Sequence, residues 1–335
     1  MNSYPHRIRV GVAGATGYAG QELVTLLARH PQVELVAAMS SSPDSAARPL
    51  PRLARLWDGQ VEPLNTERLA RATDLTFLAV PESAAAELAP PLVAAGVRVI
   101  DLSGAFRIRD DAARTRWYPA TKDLPEGAAY GLTEFYKDDV RGARLVANPG
   151  CYPTAALLAL LPLSQAGLLD AAAGIVIDAK SGISGAGRAA SDRTHFSENH
   201  GSVAAYGVFS HRHVAEMEQE LHAGVTFVPH LVPLDRGILE TIYVKTSADV
   251  TAERISDAYQ RAYATEPFIR LTGDALPEIK HVAWTNFCDI GWRFDHATRR
   301  LVIVSCIDNL VKGAAGQALQ NFNVAFGLDE RMGLR

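Results

Sequence analysis

The feature that most constrains the fold is a mostly apolar segment, a glycine-rich turn and an amphipathic segment within the first 24 residues. Gly11, Gly14 and Gly17 follow one another at intervals of three, and a second apolar segment comes at 33–39. This order predicts a βαβ unit in which glycines let backbone N–H groups approach a pyrophosphate at a helix N-terminus. We therefore expect a dinucleotide site that includes Gly14, Ala15, Thr16, Gly17 and Tyr18.

Alternation of strands and helices continues along the first half of the chain. Apolar segments at 75–81 and 97–103 flank an alanine-rich helical segment at 83–95. This pattern predicts an α/β fold with an N-terminal Rossmann-type, doubly wound parallel sheet. Beyond residue 150 the predicted strands have longer connections, which favours a second, α+β catalytic domain with a mixed sheet; these strands are 174–179, 225–229, 238–244 and 301–306.

The length of 335 residues favours two domains, because it is long for one hydrophobic core. The segment 312–322 is rich in small residues and predicts a helix that packs back against the first domain. We predict an NADP-binding Rossmann-type domain of residues 1–150 plus 313–335. Residues 151–312 are then the catalytic, substrate and oligomerisation domain.

The loop after the second predicted strand favours NADP over NAD. An acidic residue at this strand end normally accepts a hydrogen bond from the ribose 2′-hydroxyl of NAD. The chain instead has Ser40, Ser41 and Ser42, whose hydroxyls suit a 2′-phosphate, with Arg48 close by in sequence. Asp44 is the nearby residue that argues against NADP, and a serine-rich turn without a ligand role is the alternative.

Cys151 stands on a tight turn between an apolar run and a helix-forming run. Pro149 and Gly150 mark the turn, and the helical segment 154–160 would place Cys151 at the positive end of a helix dipole. That position favours a thiolate and lowers the pKa of a cysteine by about one to several units. The alternative is a small buried residue beneath a helix. The turn predicts a reactive thiol.

A dense cluster of polar residues at 210–217 offers partners for this thiol. If a helix starts near His213, then His213 and Glu216 lie on one face, so the carboxylate can fix the tautomer of the imidazole. His211 and His213 are both candidates for an acid/base that serves a cysteine nucleophile. A solvated helix start is the structural alternative. A metal site is not expected, because neither these histidines nor His195, His200 and Cys151 have a recognisable zinc spacing.

Two loops have the composition of anion sites. The segment 101–107 ends in Arg107, and the segment 180–188 contains Lys180 and Arg188 among glycines and serines. Each follows a predicted strand end, and such loops present N–H, hydroxyl and guanidinium donors to phosphate or carboxylate groups. Ordinary surface loops with basic tips are the alternative.

Composition excludes several classes of protein. The net charge of −4 gives no basic footprint for nucleic acid. The three cysteines form neither a CxxC pair nor a disulfide framework, which favours a reducing cytoplasm. The N-terminus lacks an apolar signal core and no segment approaches about 18 uninterrupted apolar residues, so we expect a cytoplasmic protein without membrane contact.

The motifs taken together resemble those of the N-acetyl-gamma-glutamyl-phosphate reductase family. Matching segments occur in the same order along nearly the whole chain, and the cysteine motif with the paired histidines is specific to this family and its close relatives. The segments are 11–20, 101–107, Asn148-Pro149-Gly150-Cys151-Tyr152-Pro153-Thr154, 180–188, His211-Arg212-His213 with Glu216, and 309–315.

The resemblance implies an NADPH-dependent reductase of arginine biosynthesis that acts on N-acetyl-gamma-glutamyl phosphate through a thioester on Cys151. His211 or His213 is then the acid/base, and Glu216 orients it. The implied substrate-binding residues are Arg107, Asn148, Lys180, Ser184, Arg188 and Tyr206. The implied residues near the nicotinamide are Asn309, Lys312, Gly313 and Ala314, and Ser184 and Gly185 are also implied to bind the cofactor. A homo-oligomer formed through the second domain is also implied.

Three alternatives remain open from the sequence. A related reductase of lysine biosynthesis, which acts on a carrier-linked aminoadipyl phosphate, would use the same catalytic residues. Aspartate-semialdehyde dehydrogenase shares the chemistry, but the histidine cluster follows Cys151 too closely for that relative. A Rossmann-type nucleotide sensor without catalysis is the non-enzyme hypothesis. The spacing does not choose between His211 and His213.

Overall fold

The computed structural model describes residues 7–334. The prediction that no export signal is present concerns residues 1–6 in part, and these lie outside the described residues. No helix within the described residues is long and apolar enough to cross a membrane. The described chain forms two compact units: residues up to Gly150 together with those from Ala314, and Cys151–Gly313.

In the first unit, strands and helices alternate as the sequence predicts. The elements are β1 Ile8–Ala13, α1 Tyr18–Ala28, β2 Val33–Met39, β3 Arg48–Pro49, β4 Gln60–Val61, α2 Thr66–Ala72, β5 Leu75–Leu78, α3 Glu82–Ala94, β6 Arg98–Asp101, α4 Asp111–Trp117, β7 Ala129–Tyr130, α5 Thr133–Gly142 and β8 Leu145–Ala147.

Within these described residues, six strands form a parallel sheet in the order β2-β1-β5-β6-β8-β7. Every residue of β5 is buried, as expected for a central parallel strand covered on both faces. The register aligns Ala13 with Leu78, Leu78 with Asp101, and Asp101 with Ala147. The carboxyl ends of these strands therefore form one edge, which is where open parallel sheets bind ligands.

Arginines at the opposite, amino-terminal edge stabilise helix ends. Arg98 donates to the carbonyl of Ala325, and Arg144 Nη1 donates to Gly96 O at 3.2 Å. Arg9 pairs with Asp74 at 2.7 Å, and these side chains line a cavity of about 430 Å³. Because cations near helix carboxyl ends complement the helix dipole, the contribution of these arginines to stability explains their presence at this edge.

The second unit is built around a mixed sheet. Its elements are α6 Cys151–Gln165, β9 Ile175–Gly182, α7 Phe196–Asn199, β10 Ala204–Ala205, α8 His213–Leu221, β11 Val225–Val232, β12 Ile238–Lys245, α9 Ala252–Tyr263, β13 Ile269–Leu271, α10 Ile279–Val282, β14 Cys288–Asp295 and β15 Arg300–Ile307. Seven strands of the described chain follow the order β10-β11-β9-β12-β15-β14-β13. The β9–β11 and β13–β14 pairs are parallel and the other pairs are antiparallel.

These sheets confirm the predicted fold class, with two corrections. The strand β14 was not predicted, because Asp289, Gly291 and Arg293 interrupt its apolar residues. The placement of Lys180 at the start of a loop is wrong. Lys180 lies inside β9, between His230 of β11 and Leu239 of β12, because the alternation of buried and more exposed residues continues past Ala179 to Ser181.

The helix α6 is the core of the second unit. All its residues from Tyr152 to Leu163 are buried. Pro162 has no N–H to give to the carbonyl four residues earlier. That carbonyl, Leu158 O, instead accepts a hydrogen bond from Tyr263 of α9. Tyr259 likewise donates to Ala159 O at 2.7 Å. The two tyrosines therefore fix α9 against the helix that begins at Cys151.

After the second unit, a turn of π-helix at Val311–Ala315 leads into α11 Gly316–Ala325, which belongs to the first unit. The predicted helix 312–322 is therefore confirmed in part, with a π-helical start. Residues of α11 share a hydrophobic cluster with β1, β5 and α1; they include Ala318, Leu319 and Phe322.

Glu240 is a buried carboxyl group on the face of the mixed sheet that packs against α6. Its register partners are Ala179 and Ser305, and Ser305 Oγ donates to Ala155 O of α6 at 2.9 Å. Within residues 7–334 neither carboxyl oxygen of Glu240 has a hydrogen-bond partner. Burial therefore raises the pKa of Glu240 well above its usual value, because the low-polarity surroundings penalise the charged form.

We expect Glu240→Gln to make stability less dependent on pH. A carboxyl group whose pKa is raised in the folded protein makes its full contribution to the free energy of unfolding below its unfolded pKa of about 4.3. This contribution is lost as the pH rises toward the folded pKa, because the group ionises more readily in the unfolded chain. The glutamine variant lacks this loss, so its unfolding temperature should exceed that of the parent by several degrees at about pH 8 and by little at about pH 5.

Thermal unfolding of both proteins at the two pH values measures the effect. Exposed Glu198→Gln is the matched control, and it should follow the parent at both. An equal difference between Glu240→Gln and the parent at both pH values would show that Glu240 is not protonated by burial.

Candidate active site

The turn between β1 and α1 in the first unit has the geometry of a phosphate cradle. Gly14 has φ = 88°, and a Cβ there would overlap the carbonyl oxygen of Ala79. Gly17 is the N-cap of α1, and no side chain caps this helix start. Backbone N–H groups at the N-terminus of α1 therefore face the position where a pyrophosphate would bind, which fits a dinucleotide.

The other residues of the predicted turn take different positions. The N–H of Ala15 donates to Met39 O at 2.8 Å, which ties the turn to the end of β2. Thr16 is half-buried and Tyr18 is exposed at the first position of α1. Gly11 lies inside β1, where a Cβ would be 2.8 Å from Leu69 Cδ2. Its role is close packing against α2, so its predicted place in the phosphate turn is wrong.

The serine loop follows β2 at the same edge of the sheet. Ser40 is buried, and its hydroxyl bonds to Ser42 O at 2.7 Å and to Ser45 Oγ. Ser42 Oγ accepts from Asp44 N at 3.2 Å, while Ser41 is exposed. The hydroxyls of Ser40 and Ser42 thus shape the loop, and Ser41 is the serine whose side chain faces solvent.

Arg107 joins the carboxyl ends of two neighbouring strands. Its Nε donates to Asn148 O at 2.7 Å, and its Nη2 donates to Leu102 O at 2.8 Å. Asp101 is completely buried and accepts from the N–H and hydroxyl of Ser103. Burial is the main cause that raises the pKa of Asp101 to about 6, and the Arg107 charge opposes this rise.

The side chain of Asn148 is held by the first unit itself. Its amide nitrogen donates to Ala314 O at 3.2 Å, and its amide oxygen accepts from Asn321 Nδ2 at 3.1 Å. It is also buried. Both halves of the amide therefore bind protein groups, which favours a positioning role over the predicted substrate contact.

Asn321 belongs to a buried polar network that sequence reasoning missed. Its Oδ1 accepts from Thr133 Oγ1 at 2.7 Å, and Gln317 Nε2 donates to Gly131 O at 3.0 Å. A Cβ at Gly131 would lie 2.5 Å from Asn321 Nδ2. Gln317 and Asn321 are four residues apart on a helix of small residues, so their shared face was a usable signal.

In the second unit, Cys151 is the first residue of α6. The predicted helix after the cysteine is thus confirmed, and the thiol stands where the helix dipole favours a negative charge. A Cβ at Gly313 would be 2.7 Å from Cys151 Cβ and 3.2 Å from Ile307 Cδ1. Gly313 therefore lies against the candidate nucleophile, and only a residue without a side chain fits there.

The two histidines differ in their contacts. His213 is the first residue of α8, and its Nε2 lies 4.0 Å from Oε1 of the completely buried Glu216. His211 lies two residues earlier, and its Nδ1 accepts from the backbone N–H of His213 at 3.2 Å. Burial, with a smaller effect of the Arg212 charge, lowers the pKa of His211 to about 4.

Aromatic rings surround His211. The ring centroids of Tyr152, Tyr206 and Phe227 lie 5.7, 5.6 and 5.4 Å from the centroid of His211, and that of His213 lies 4.7 Å away. The hydroxyls of Tyr152 and Tyr206 are 3.2 Å apart. Burial raises the pKa of both tyrosines, so both remain neutral. Tyr152 directly follows Cys151, so this cluster adjoins the nucleophile along the chain.

Lys180 is paired on the partly exposed face of the mixed sheet. Its Nζ is 2.5 Å from Asp178 Oδ2, and the other oxygen of Asp178 is 3.3 Å from His230 Nδ1. Asp178 and His230 were not predicted. They lie on the neighbouring strands β9 and β11, two positions apart in a register that the sequence alone does not specify. Any anion that Lys180 binds must share it with this carboxylate.

Ser184 and Asn309 lie together. Asn309 Nδ2 donates to Ser184 Oγ at 3.0 Å, and Asn309 Oδ1 accepts from Gly237 N at 2.7 Å. A Cβ at Gly185 would be 3.6 Å from Asn309 Nδ2, so Gly185 belongs to the same cluster. Arg188 is exposed beyond it.

Lys312 is completely buried, with its Nζ 5.7 Å from the ring centroid of Phe268. Its side chain therefore points into the interior of the second unit. A contact of this residue with a cofactor would have to come from its backbone.

Asp308 organises the segment that holds Asn309 and Lys312. Its Oδ1 accepts from the N–H groups of Leu310 and Val311. Its Oδ2 accepts from Arg236 Nη1 at 3.0 Å and from Trp284 N at 2.6 Å. This buried carboxylate was not predicted, because its partners come from distant parts of the chain. Among the residues that the structure describes, no cluster of His, Cys, Asp or Glu has the arrangement of a metal site.

Comparison with protein families finds two matches. The family described as "Semialdehyde dehydrogenase, NAD binding domain" matches residues 9–143. The family described as "Semialdehyde dehydrogenase, dimerisation domain" matches residues 151–309.

Curated relatives match almost the full length. The N-acetyl-gamma-glutamyl-phosphate reductase of Brevibacillus brevis is 48% identical over 98% of this chain and 98% of its own. The protein of the same name from Symbiobacterium thermophilum is 49% identical over 98% of this chain and 97% of its own. That from Bacillus subtilis is 43% identical, over 98% of each chain.

Solved structures show the same fold at lower sequence identity. Aspartate semialdehyde dehydrogenase II from Vibrio cholerae has a TM-score of 0.74 and 20% identity, and the match covers 96% of this chain and 99% of that one. Aspartate semialdehyde dehydrogenase with NADP from Candida albicans has a TM-score of 0.68 and 17% identity, over 95% and 98% of the two chains.

Proposed function

Because this chain belongs to the N-acetyl-gamma-glutamyl-phosphate reductase family, we propose that it reduces N-acetyl-gamma-glutamyl phosphate with NADPH, giving N-acetylglutamate 5-semialdehyde and phosphate. This is a step of arginine biosynthesis. The observation that carries the proposal is Cys151 at the first position of α6, followed by a residue that packs against both histidines. A thiolate at a helix N-terminus with imidazoles close by is the arrangement that covalent acyl transfer requires.

In the first step, the thiolate of Cys151 attacks the acyl carbon of the substrate. A carbon–sulfur bond forms, the carbon–oxygen bond to phosphate breaks, and a histidine supplies the proton that the leaving phosphate takes up. The product is a thioester on Cys151. The N–H groups at the start of α6 stabilise the negative charge that develops on the acyl oxygen.

The second step reduces the thioester. Its carbonyl carbon accepts the hydride that NADPH would supply when bound. The resulting thiohemiacetal oxyanion, which is bonded to Cys151, collapses to the aldehyde. This collapse breaks the carbon–sulfur bond and restores the thiolate. The histidine regains its proton from solvent, so one proton is consumed per turnover. Negative charge develops on the acyl oxygen in both the first and the second step. Hydrogen-bond donors of this chain that face this oxygen therefore lower the barrier to each step.

The first unit fits the cofactor. The turn at Gly14 and Gly17 leaves the N-terminus of α1 open to a pyrophosphate. Ser41, with Arg48, is proposed to meet the 2′-phosphate that distinguishes NADP. The glycines and Asn309 of the second unit are proposed to hold the nicotinamide end through backbone and amide groups.

The substrate carries two anionic groups. Arg107, Lys180, Ser184, Arg188 and Tyr206 are the proposed ligands of its phosphate and carboxylate. Lys180 and Arg188 supply positive charge, while the hydroxyls of Ser184 and Tyr206 supply directed hydrogen bonds. Tyr206 stays neutral because burial raises its pKa, so it can donate to an anion.

The protein is proposed to act in the cytoplasm as a homo-oligomer formed through the mixed sheet. The second unit matches a family described as a dimerisation domain. Val176 of β9 and Tyr243 of β12 are register neighbours on one face of this sheet and are 38% and 44% exposed. Apolar side chains on a sheet face are suited to a second copy.

The reverse reaction tests the proposed function. NADPH formation is followed with N-acetylglutamate semialdehyde, NADP⁺ and phosphate, beside aspartate semialdehyde and the aminoadipate analogue. We expect NADPH only with the acetylated glutamyl aldehyde and only when phosphate is present. Preference for the aminoadipate compound would support the reductase of lysine biosynthesis. Binding of NADP⁺ without any reaction would support a nucleotide sensor and contradict the proposal.

A further inference from the structure

One buried carboxylate shapes the segment 308–313. Asp308 directly follows β15, and its side chain is completely buried. Each of its two oxygens accepts two hydrogen bonds from N–H groups; the donors are Arg236 Nη1, Trp284 N, Leu310 N and Val311 N. A carboxylate has about four lone-pair sites, and these four N–H groups use them. The acceptor capacity of Asp308 is therefore used by the protein itself.

The backbone of Asp308 also governs the approach of Gly313 to the nucleophile. Asp308 O accepts a hydrogen bond from Gly313 N at 2.9 Å, which is the i to i+5 spacing of a π-helical turn. A Cβ at Gly313 would lie only 2.7 Å from Cys151 Cβ. Single turns of π-helix are frequent at functional sites. The position of Gly313 beside Cys151 therefore depends on how Asp308 is held.

The loop before β12 holds this segment at one end of the mixed sheet. The register pairs the first residue of β12 with the last residue of β15, so the residues just before β12 lie beside those just after β15. Arg236 donates to Asp308 Oδ2 at 3.0 Å, and the N–H of Gly237 donates to Asn309 Oδ1 at 2.7 Å. Asn309 Nδ2 then donates to Ser184 Oγ at 3.0 Å. Neighbouring residues of one loop thus fix Asp308 through a guanidinium and Asn309 through a backbone N–H.

Trp284 completes these contacts in a strained conformation. Its φ is 68°, in the left-handed region that favours glycine, and the residue is 59% exposed. An aromatic residue in this region is unusual, and such strain persists where the surrounding contacts fix the backbone. The N–H of Trp284 donates to Asp308 Oδ2 at 2.6 Å, and the centre of its ring lies 3.2 Å from Arg236 Cζ. The indole therefore covers the buried ion pair of Arg236 and Asp308, which limits the screening of that pair by water.

We propose that Arg236, Asp308 and Trp284 form a clamp that holds the segment 308–313 in place for hydride transfer. The inference rests on the proposed function, in which this segment meets the nicotinamide end of the cofactor. All three residues act through the segment, so they are positioning residues. Hydride transfer is sensitive to such positions, because a displacement of about 1 Å costs on the order of 10²-fold in rate. A loosened clamp should therefore weaken binding of the nicotinamide end and slow the hydride step, while the exchange of the acyl group with phosphate changes little.

Binding of two ligands locates the effect without any catalysis. NADP⁺ is compared with adenosine 2′,5′-bisphosphate, which lacks the nicotinamide end, by calorimetric titration of the full-length protein. Because Arg236→Met removes the guanidinium from Asp308, we expect the dissociation constant of NADP⁺ to rise about 10-fold and that of the fragment to stay within about two-fold. Arg236→Lys keeps the positive charge and should recover part of the loss. Equal weakening of both ligands, or unchanged binding of NADP⁺, would overturn the proposal.

Arg270→Met is the matched control, because Arg270 has similar surroundings in the same unit. Its guanidinium pairs with Asp289 at 2.5 and 2.9 Å, and its Cζ lies 4.3 Å from the ring centroid of Phe287. Asp289 lies in β14, outside the segment 308–313. We expect this variant to bind both ligands as the parent does.

Trp284→Gly is a milder variant that keeps the test independent of the folding of Arg236→Met. Glycine adopts φ = 68° without strain, and the N–H that Asp308 accepts remains. Loss of the indole exposes the ion pair to water, so we expect a selective rise of about 3-fold in the dissociation constant of NADP⁺. An unchanged dissociation constant would overturn the place of Trp284 in the clamp.

The reverse reaction assigns the effect to one step. The enzyme is mixed with N-acetylglutamate semialdehyde and saturating NADP⁺ without phosphate, and the rate of the first NADPH burst is measured with hydrogen or deuterium on the carbonyl carbon of the aldehyde. We expect Arg236→Met to lower the burst rate by about 10–100-fold, with a primary isotope effect. Discharge of the acyl enzyme by phosphate should slow by less than about three-fold. Equal slowing of both steps would indicate a general structural defect and overturn the proposal. If the chain did not oxidise this aldehyde, the comparison of the two ligands would still decide the role of the clamp in binding.

Discussion

Cys151→Ala is expected to abolish reductase activity, with kcat/KM lower by on the order of 10⁴-fold or more. The proposed route passes through a carbon–sulfur bond, and alanine offers no atom that can form it. Hydride transfer directly to the acyl phosphate would have to proceed without the thioester, which divides a difficult reduction into two easier steps. The loss should appear in kcat, because the side chains that are proposed to bind the anionic groups of the substrate remain.

Cofactor binding separates this result from a folding defect. The glycine turn belongs to the first unit, whereas Cys151 belongs to the second. The dissociation constant of NADPH for Cys151→Ala should therefore stay within a few-fold of that of the parent. Cys306→Ala is the matched control. Burial raises the pKa of the Cys306 thiol, and this residue lies in β15. If Cys151→Ala kept near-normal activity, the covalent mechanism would be wrong.

Gly14→Ala is expected to destabilise the first unit and to remove dinucleotide binding. The residue has φ = 88°, which costs a residue with a side chain about 1–2 kcal/mol. The added Cβ would also overlap the carbonyl oxygen of Ala79, which is backbone and cannot rotate away. We expect a total loss of about 3 kcal/mol or more in the free energy of unfolding.

Gly17→Ala is the natural control for this substitution. Gly17 has φ = −73°, and the nearest atom to its Cβ would be Gly14 O at an ordinary 3.6 Å. Its stability should therefore remain close to that of the parent. Denaturant unfolding compares the two variants, and titration with NADPH measures binding. Equal stability of both variants would show that the positive φ of Gly14 is not needed.

The parts of the site that lie close together in sequence were predictable. Cys151, its turn and the following helix occupy one short segment, and the glycines of the β1–α1 turn occupy another. The start of α8 at His213 placed Glu216 one turn later, as predicted, and the two side chains indeed lie 4.0 Å apart. Local geometry of this kind follows from helix periodicity alone.

Contacts between distant segments were not predictable. The pairing of Asp178 with His230 depends on the register of β9 and β11, which no local pattern specifies. Asp308 likewise gathers Arg236 and Trp284 from other parts of the chain. Glu240 is different, because strand alternation puts it on the same face as Ile238 and Ile242, and this signal was available in the sequence.

The difference between the contacts of the two histidines also needed the structure. Spacing makes both equally good candidates for the acid/base. The 3.2 Å hydrogen bond from the backbone of His213 to Nδ1 of His211 distinguishes them, because it occupies one nitrogen of the His211 ring. Their difference is a property of backbone geometry at the start of α8.

A phosphate-free single turnover tests the central claim most directly. The enzyme is mixed with N-acetylglutamate semialdehyde and NADP⁺ without phosphate, and NADPH formation and the intact protein mass are followed together. The proposed mechanism predicts a burst of about one NADPH per active site, an acyl group on Cys151, and discharge of that group when phosphate is added. NADPH formation that continues without phosphate would contradict the thioester mechanism. So would an enzyme that turns over with phosphate but forms neither a burst of NADPH nor an acyl group on Cys151 without it.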